Sequence, residues 1–310
     1  MAGNGKRGLL VDNVQIASSV EEALAHLAAH RGNAQIIAGG TLLMPLVERG
    51  ECPATHLVDV SRVCSMKRIT QSEGHVVIGG SVTLAALAES AMVRSEVPML
   101  REAALAVEGE EVRALATLVG RLVAAQGSAE VSVALVALDA EAQIANLTGS
   151  QWMPVDSLFV RSGVSRVDST SEIVTAVRVP AIDHSTGTAI GWIERPEAHE
   201  PSPLVLALVL SLSSDHDSVR WGAVAMGTSA GVPAHVRTAE EALTGASVAD
   251  PSTRERLARL VGAAGADAIS VDEASRTAVR EMVARLAQGC YDQALAAATR
   301  GDLSDEHATA

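Results

Sequence analysis

Aromatic rings are almost missing from this chain: Phe159, Tyr291, Trp152, Trp192 and Trp221 are the 2% of aromatic residues among 310. Stacking platforms for bases are therefore few, and each Trp is worth locating. Cysteine is scarce too. Cys52, Cys64 and Cys290 form no CxxC or Cys/His cluster, which excludes a disulfide framework and argues against an iron–sulfur or zinc site, so no metal ligand set is predicted. Basic charge is in deficit, with 24 Lys and Arg against 37 Asp and Glu and a formal charge of −13. Phosphate backbones are bound by basic patches, so nucleic acid is not an expected partner. Long apolar runs are lacking as well. The most apolar stretch, Leu204 to Leu212, is far short of the roughly 20 residues that span a bilayer. The opening MAGNGKRGLLVDN has a basic start without an apolar core, so neither a signal peptide nor a membrane location is predicted, and a cytoplasmic protein is expected.

The chain has apolar residues at 48%, mostly Ala, Val and Leu, in a length sufficient for two or three units with sizeable cores. Ser19-Val20-Glu21-Glu22 has the spacing of a capping box and predicts a helix to about His30. Short strands are predicted at 34–38, 57–60 and 75–79, and helices at 41–48, 83–91 and 98–106. Residues 113–121 read as a loop, 131–139 as a helix or buried segment, and 141–147 and 172–179 as strands. Beyond Pro180 three antiparallel strands are expected, at 187–194, 205–213 and 219–226, with a turn at Asp215-His216-Asp217-Ser218. Helices follow at 238–243, 251–264 and 274–298. The fold class is α/β in the α+β sense. The expected division is 1–180 for two small α/β lobes, 181–300 for a domain of three strands and three helices, and 301–310 for a frayed tail.

Two segments draw attention together. Ala38-Gly39-Gly40-Thr41 follows the apolar pair Ile36-Ile37, and Arg113-Ala114-Leu115-Ala116-Thr117-Leu118-Val119-Gly120-Arg121 comes later. Glycine lets bare backbone approach an anion. With Leu57-Val58-Asp59-Val60, Val77-Ile78-Gly79-Gly80, the run LVALDA at 135–140, Val232-Pro233 and Glu240-Glu241-Ala242-Leu243-Thr244-Gly245, these segments resemble, in order and spacing, the FAD-binding medium subunit family of molybdenum hydroxylases. The resemblance covers roughly 15–295. It implies a two-lobed FAD-binding region of the PCMH type with a C-terminal domain behind it. The cofactor's pyrophosphate would meet both loops, and Ala38, Gly39, Gly40, Thr41, Thr117, Val119 and Gly120 would contact it or line the pocket.

The chain departs from the family pattern at several points. Where the family has Gly-Gly-Asn, this chain has Val119-Gly120-Arg121. Its Pro-Ala-Ala-Asp becomes Gly127-Ser128-Ala129-Glu130, and a Tyr and Lys near the flavin ring are replaced in a region holding only Ile190 and Trp192. Val119 is β-branched and expected to crowd the cradle, whereas Arg121 could pair a pyrophosphate. From these departures the sequence reading favours a fold that has lost its flavin. It predicts no cofactor and a cofactor-independent cyclase or isomerase that closes a ring in a bulky apolar molecule of secondary metabolism, such as antibiotic biosynthesis. Glu130, Arg121 and His199 are its candidate catalytic residues, with Trp192 and Glu194 lining the pocket. A small molecule is the expected partner, and a homodimer is compatible with it. The alternative keeps FAD and makes the chain an electron-transfer subunit beside molybdenum and iron–sulfur subunits. Plain structural roles compete throughout: a strand-to-helix turn for Gly39 and Gly40, a helix cap for Thr41, a pair with Glu130 for Arg121, a core position for Trp192, and a surface position for His199 and His216.

Overall fold

The computed structural model describes residues 11–52, 54–193, 203–269 and 273–305. In chain order the elements are β1 (Asn13–Ile16), α1 (Val20–Ala29), β2 (Ala34–Ile37), α2 (Leu43–Glu48), β3 (His56–Asp59), β4 (Ile69–Ser72) and β5 (His75–Gly79). Next come α3 (Leu84–Glu89), α4 (Ala91–Glu96), α5 (Pro98–Leu105), α6 (Glu110–Leu115), α7 (Leu118–Val123) and α8 (Glu130–Ala137). Then follow β6 (Glu141–Asn146), β7 (Gly149–Pro154), β8 (Phe159–Arg161), β9 (Val164–Ser165) and β10 (Ile173–Pro180). The rest is β11 (Thr186–Trp192), β12 (Leu204–Leu212), β13 (Val219–Thr228), β14 (Ala234–His235), α9 (Arg237–Leu243), α10 (Pro251–Ala268) and α11 (Glu273–Asp305).

A parallel sheet of order β1-β3-β2 forms the first lobe. The Ser19 side chain caps α1 by accepting from the N–H of Glu22 at 3.1 Å. The return arm of the capping box is displaced by one residue, because the Glu22 carboxylate takes the backbone N–H of Ser18. The second lobe is an antiparallel sheet of order β4-β5-β10-β6-β7. The helix expected at 83–91 ends at Glu89, where Ser90 becomes the N-cap of α4 and accepts from the N–H of Val93.

The last sheet has order β11-β12-β13-β14. It contains a fourth strand beyond the three expected, since Ala234–His235 is too short to carry an alternation. Every residue of β12 is buried, because the sheet is covered on both sides. Val205, Ala207 and Val209 belong to the cluster built around α5 and α8, and Leu204, Leu206, Leu208 and Leu210 to the one built with α10 and α11. All eight residues of α8 are buried. Residues 113–121, expected as a loop, instead hold the end of α6, an extended link at Ala116-Thr117 and the start of α7. Among the described residues no helix is long and apolar enough to cross a membrane.

Candidate cofactor site

β2 delivers the chain into Ala38-Gly39-Gly40-Thr41, with the strand end closed by the Val60 N–H donating to the Ile37 carbonyl at 2.9 Å. A Cβ on Gly39 would stand 1.9 Å from the Leu115 carbonyl oxygen, so only glycine lets this loop lie against the end of α6. Gly40 has φ +71°, a left-handed conformation that glycine adopts without strain, and its carbonyl accepts from the Met44 N–H to open α2. Thr41 does not cap that helix: the N-cap position is Leu42, and no side chain caps it. Among the described residues none of the N–H groups of Gly39, Gly40 and Thr41 finds an acceptor. Successive free N–H groups around a left-handed residue form a concavity that favours anions. Ile36, Ile37, Ala38 and Leu42 beside it are only half-buried.

The second segment meets the first through this contact and is tied to the β5–α3 turn. The Ala116 carbonyl accepts from the Leu84 N–H at 2.9 Å, and the Leu118 N–H donates to Val82 at 3.2 Å. Thr117 is buried and caps α7, accepting from the Gly120 N–H at 3.0 Å. The expectation that Val119 crowds the cradle is corrected. Its side chain lies in the main core with Leu118 and Leu122, and neighbouring positions on a helix point about 100° apart. The exposed position on this turn is Gly120. The Gly39–Thr41 turn therefore fits an FAD pyrophosphate: its N–H donors are unengaged, and Val119 packs into the core instead of crowding it.

The remaining candidates scatter. Arg121 is half-buried and donates to Gln126 Oε1 at 3.5 Å. Glu130 is buried at the first residue of α8, where a carboxylate suits the positive helix end. Trp192 is 38% exposed, so it is not the core residue it could have been. It ends β11, whose neighbours are β12, α5 and α11. Glu194 and His199 lie outside the described residues. His216 occupies the β12–β13 turn with φ 58°.

A group of charges went unread in the sequence. His235 Nδ1 is 2.6 Å from Glu240 Oε1, and its Nε2 is 3.5 Å from Asp139 Oδ1. Glu240 also accepts from Arg237 at 2.9 Å and from the backbone N–H of Val224 at 3.0 Å. Burial alone pushes the His235 imidazole down, but the Asp139 and Glu240 carboxylates outweigh it and raise it to about 9. Burial pushes the Glu240 carboxyl up, and His235, Val224 and Arg237 together bring it below the ordinary range. A cavity of about 380 Å³ opens above, walled by Asp139, Glu141, Asp156, His235 and Arg237. The only sequence signal was that His235 stands between Val232-Pro233 and Glu240, in a stretch already matched to the family.

Comparison with known proteins gives the geometry its context. The sequence model for the FAD binding domain in molybdopterin dehydrogenase matches residues 10–182. The 6-hydroxypseudooxynicotine dehydrogenase complex subunit alpha of Paenarthrobacter nicotinovorans is 34% identical over 180 residues, 58% of this chain and 60% of that one. The carbon monoxide dehydrogenase medium chain of Hydrogenophaga pseudoflava is 27% identical over 177 residues, 57% of this chain and 61% of that one. The aligned region thus spans about three fifths of these curated relatives' own lengths. Over the whole fold, a crystal structure of carbon monoxide dehydrogenase from Hydrogenophaga pseudoflava superposes with a TM-score of 0.82 at 22% identity, covering 93% of this chain and 98% of that one.

These matches overturn the expectations drawn from the altered second loop. The prediction of no cofactor fails against a match to an FAD-binding domain. The predictions of a cofactor-independent cyclase or isomerase and of a role in antibiotic or other secondary metabolism fail against relatives that are dehydrogenase subunits. Of the departures behind those expectations, Val119 is the one the structure explains: its side chain is core, not cradle. Through residues 10–182, which match its sequence model, the chain belongs to the family of FAD binding domains in molybdopterin dehydrogenases.

Proposed function

We propose that this chain is the FAD-binding subunit of a molybdenum hydroxylase-type dehydrogenase and relays electrons between the iron–sulfur clusters of a partner subunit and an acceptor. The observation that carries this reading is the joined pair of loops, with Gly39 pressed on Leu115 and the N–H groups of Gly39, Gly40 and Thr41 unengaged. The relatives support the assembly, being a complex subunit and a medium chain by name. When bound, FAD supplies the redox chemistry, taking up electrons in pairs or singly.

The chain's own residues bind and orient. The 39–41 N–H groups would donate to pyrophosphate oxygens, with Ala38 beside them. Thr117 would keep the second loop in register through its bond to Gly120, and Arg121 would add positive charge to the same end. Residues 1–180 would form the cofactor-binding part and 181–300 the domain packed behind it. The test is to purify the chain, alone and with its molybdenum and iron–sulfur subunits, and to measure bound flavin. Stoichiometric flavin absorbance that Gly40→Val abolishes is the expected result. Colourless protein in both preparations, leaving the fluorescence of added FAD unquenched, would overturn the proposal.

A further inference from the structure

His235 lies where the C-terminal sheet meets the second lobe. β14 holds it by pairing Ala234 with Met226 and His235 with Ala225, and its side chain is 6% exposed. Across the junction, Asp139 sits in the turn between α8 and β6 with φ 49°, a left-handed conformation that Asp tolerates better than most residues. The other charges around His235 are accounted for. Glu240 and Arg237 come from α9. Glu141, on β6, is engaged by Arg178, and Asp156 lies across the cavity.

We propose that His235, held as an imidazolium between Asp139 and Glu240, is a proton-dependent clasp that docks the C-terminal sheet onto the α8–β6 turn and opens on the Asp139 side in alkaline solution. The argument is one of donor counting. An imidazolium has two N–H groups and can serve both carboxylates, whereas neutral imidazole has one N–H and one lone pair. Glu240 is nearer, at 2.6 Å against 3.5 Å, and is itself fixed by Arg237 and the Val224 N–H, so it keeps the remaining proton. The Asp139 carboxylate would then face the lone pair of Nε2. Its side chain is 68% exposed and can turn to water, breaking this one contact while the apolar packing of α8 under the last sheet stays. The proton's hold on His235, raised to about 9, places this change above neutrality. The sign follows: a group whose folded value is raised contributes fully below its unfolded value of 6.5, and its contribution is lost as pH rises through the folded value.

The experiment follows the histidine imidazoles of the full chain by proton NMR from pH 6 to 10, with His235→Gln to assign the signal. The expected result is a midpoint near 9 in the native chain and a proton affinity lower by about tenfold or more in Asp139→Asn. A native midpoint near 6.5, or one that Asp139→Asn leaves in place, would overturn the proposal. Thermal unfolding gives a second readout. The native chain should lose more stability between pH 7 and 10 than His235→Arg, whose charge persists, and parallel losses would also overturn the proposal.

Discussion

The Cβ that Gly39 lacks would sit 1.9 Å from the carbonyl oxygen of Leu115. One missing methyl group therefore joins the loop after β2 to the end of α6, and the cradle between them depends on it. Gly39→Ala should force the two backbones apart at a cost of about 1–3 kcal/mol, the range for overpacking a close contact. Urea denaturation should show the lower midpoint, and flavin content should fall with it. Full flavin content in a destabilised variant would separate the packing role from the binding role.

Val119→Gly restores the residue that the family carries, yet it should not improve flavin binding. The side chain lies in the core, so its removal leaves a cavity and puts a flexible residue in α7. The expected loss is about 2–4 kcal/mol. Fluorescence titration with FAD measures the other half of the prediction, and a markedly tighter complex would mean that Val119 does obstruct the cradle.

Gly227→Ala probes the contact between β13 and the segment before α8. Its Cβ would lie 1.9 Å from the Gly127 carbonyl oxygen and 2.7 Å from a Val133 methyl. Because the nearest atom is backbone, the sheet must move off α8. A drop of several degrees in thermal midpoint is expected, equivalent to about 1–3 kcal/mol.

The acid limb of stability should reflect Asp183 and Glu240. Burial pushes the Asp183 carboxyl up, but Thr186, Arg220 and Ser185 bring it below its ordinary 3.8. Glu240 lies below 4.5 for the reasons already given. A depressed carboxyl contributes stability above its unfolded value and loses it as pH falls through its folded value. Unfolding curves collected from pH 6 down to 2 should therefore fall below about pH 4.5. In Glu240→Gln the fall should be shallower, from a lower starting stability.

Arg254 grips Asp292 through two bonds of 2.7 and 2.6 Å, joining α10 to α11. Both side chains are substantially exposed, at 39% and 53%. Asp292→Ala should cost less than about 1 kcal/mol in denaturant unfolding, as water screens such pairs.

The elements that announced themselves in the sequence are those with a periodic apolar face and a cap. α1 was legible from Ser19 and Glu22, and β12 from the apolar run Leu204 to Leu210. β1 was not, since Val14 and Ile16 are about half exposed, at 52% and 47%, and offer no buried alternation. α6 and α7 were obscured because motif residues between them invited a reading as loop. The turn at Gly39-Gly40 was legible from the apolar pair before it, but the loss of flavin was inferred in part from Val119, where a linear motif does not tell which way a helical side chain points. The Asp139–His235 pair was illegible for another reason: neither residue has a local pattern, and only tertiary docking brings them together.

Helix α8 has no face in water. One side belongs with α5, and the other lies under Val205, Ala207, Val209, Ala223 and Ala225 of the last sheet. A fragment cut at residue 180 would keep every strand of the first two sheets and still bare a band of Val, Ala and Leu. Such a piece should precipitate or require detergent. The peptide bond that divides the chain on paper is thus not a seam at which the folded protein can be opened.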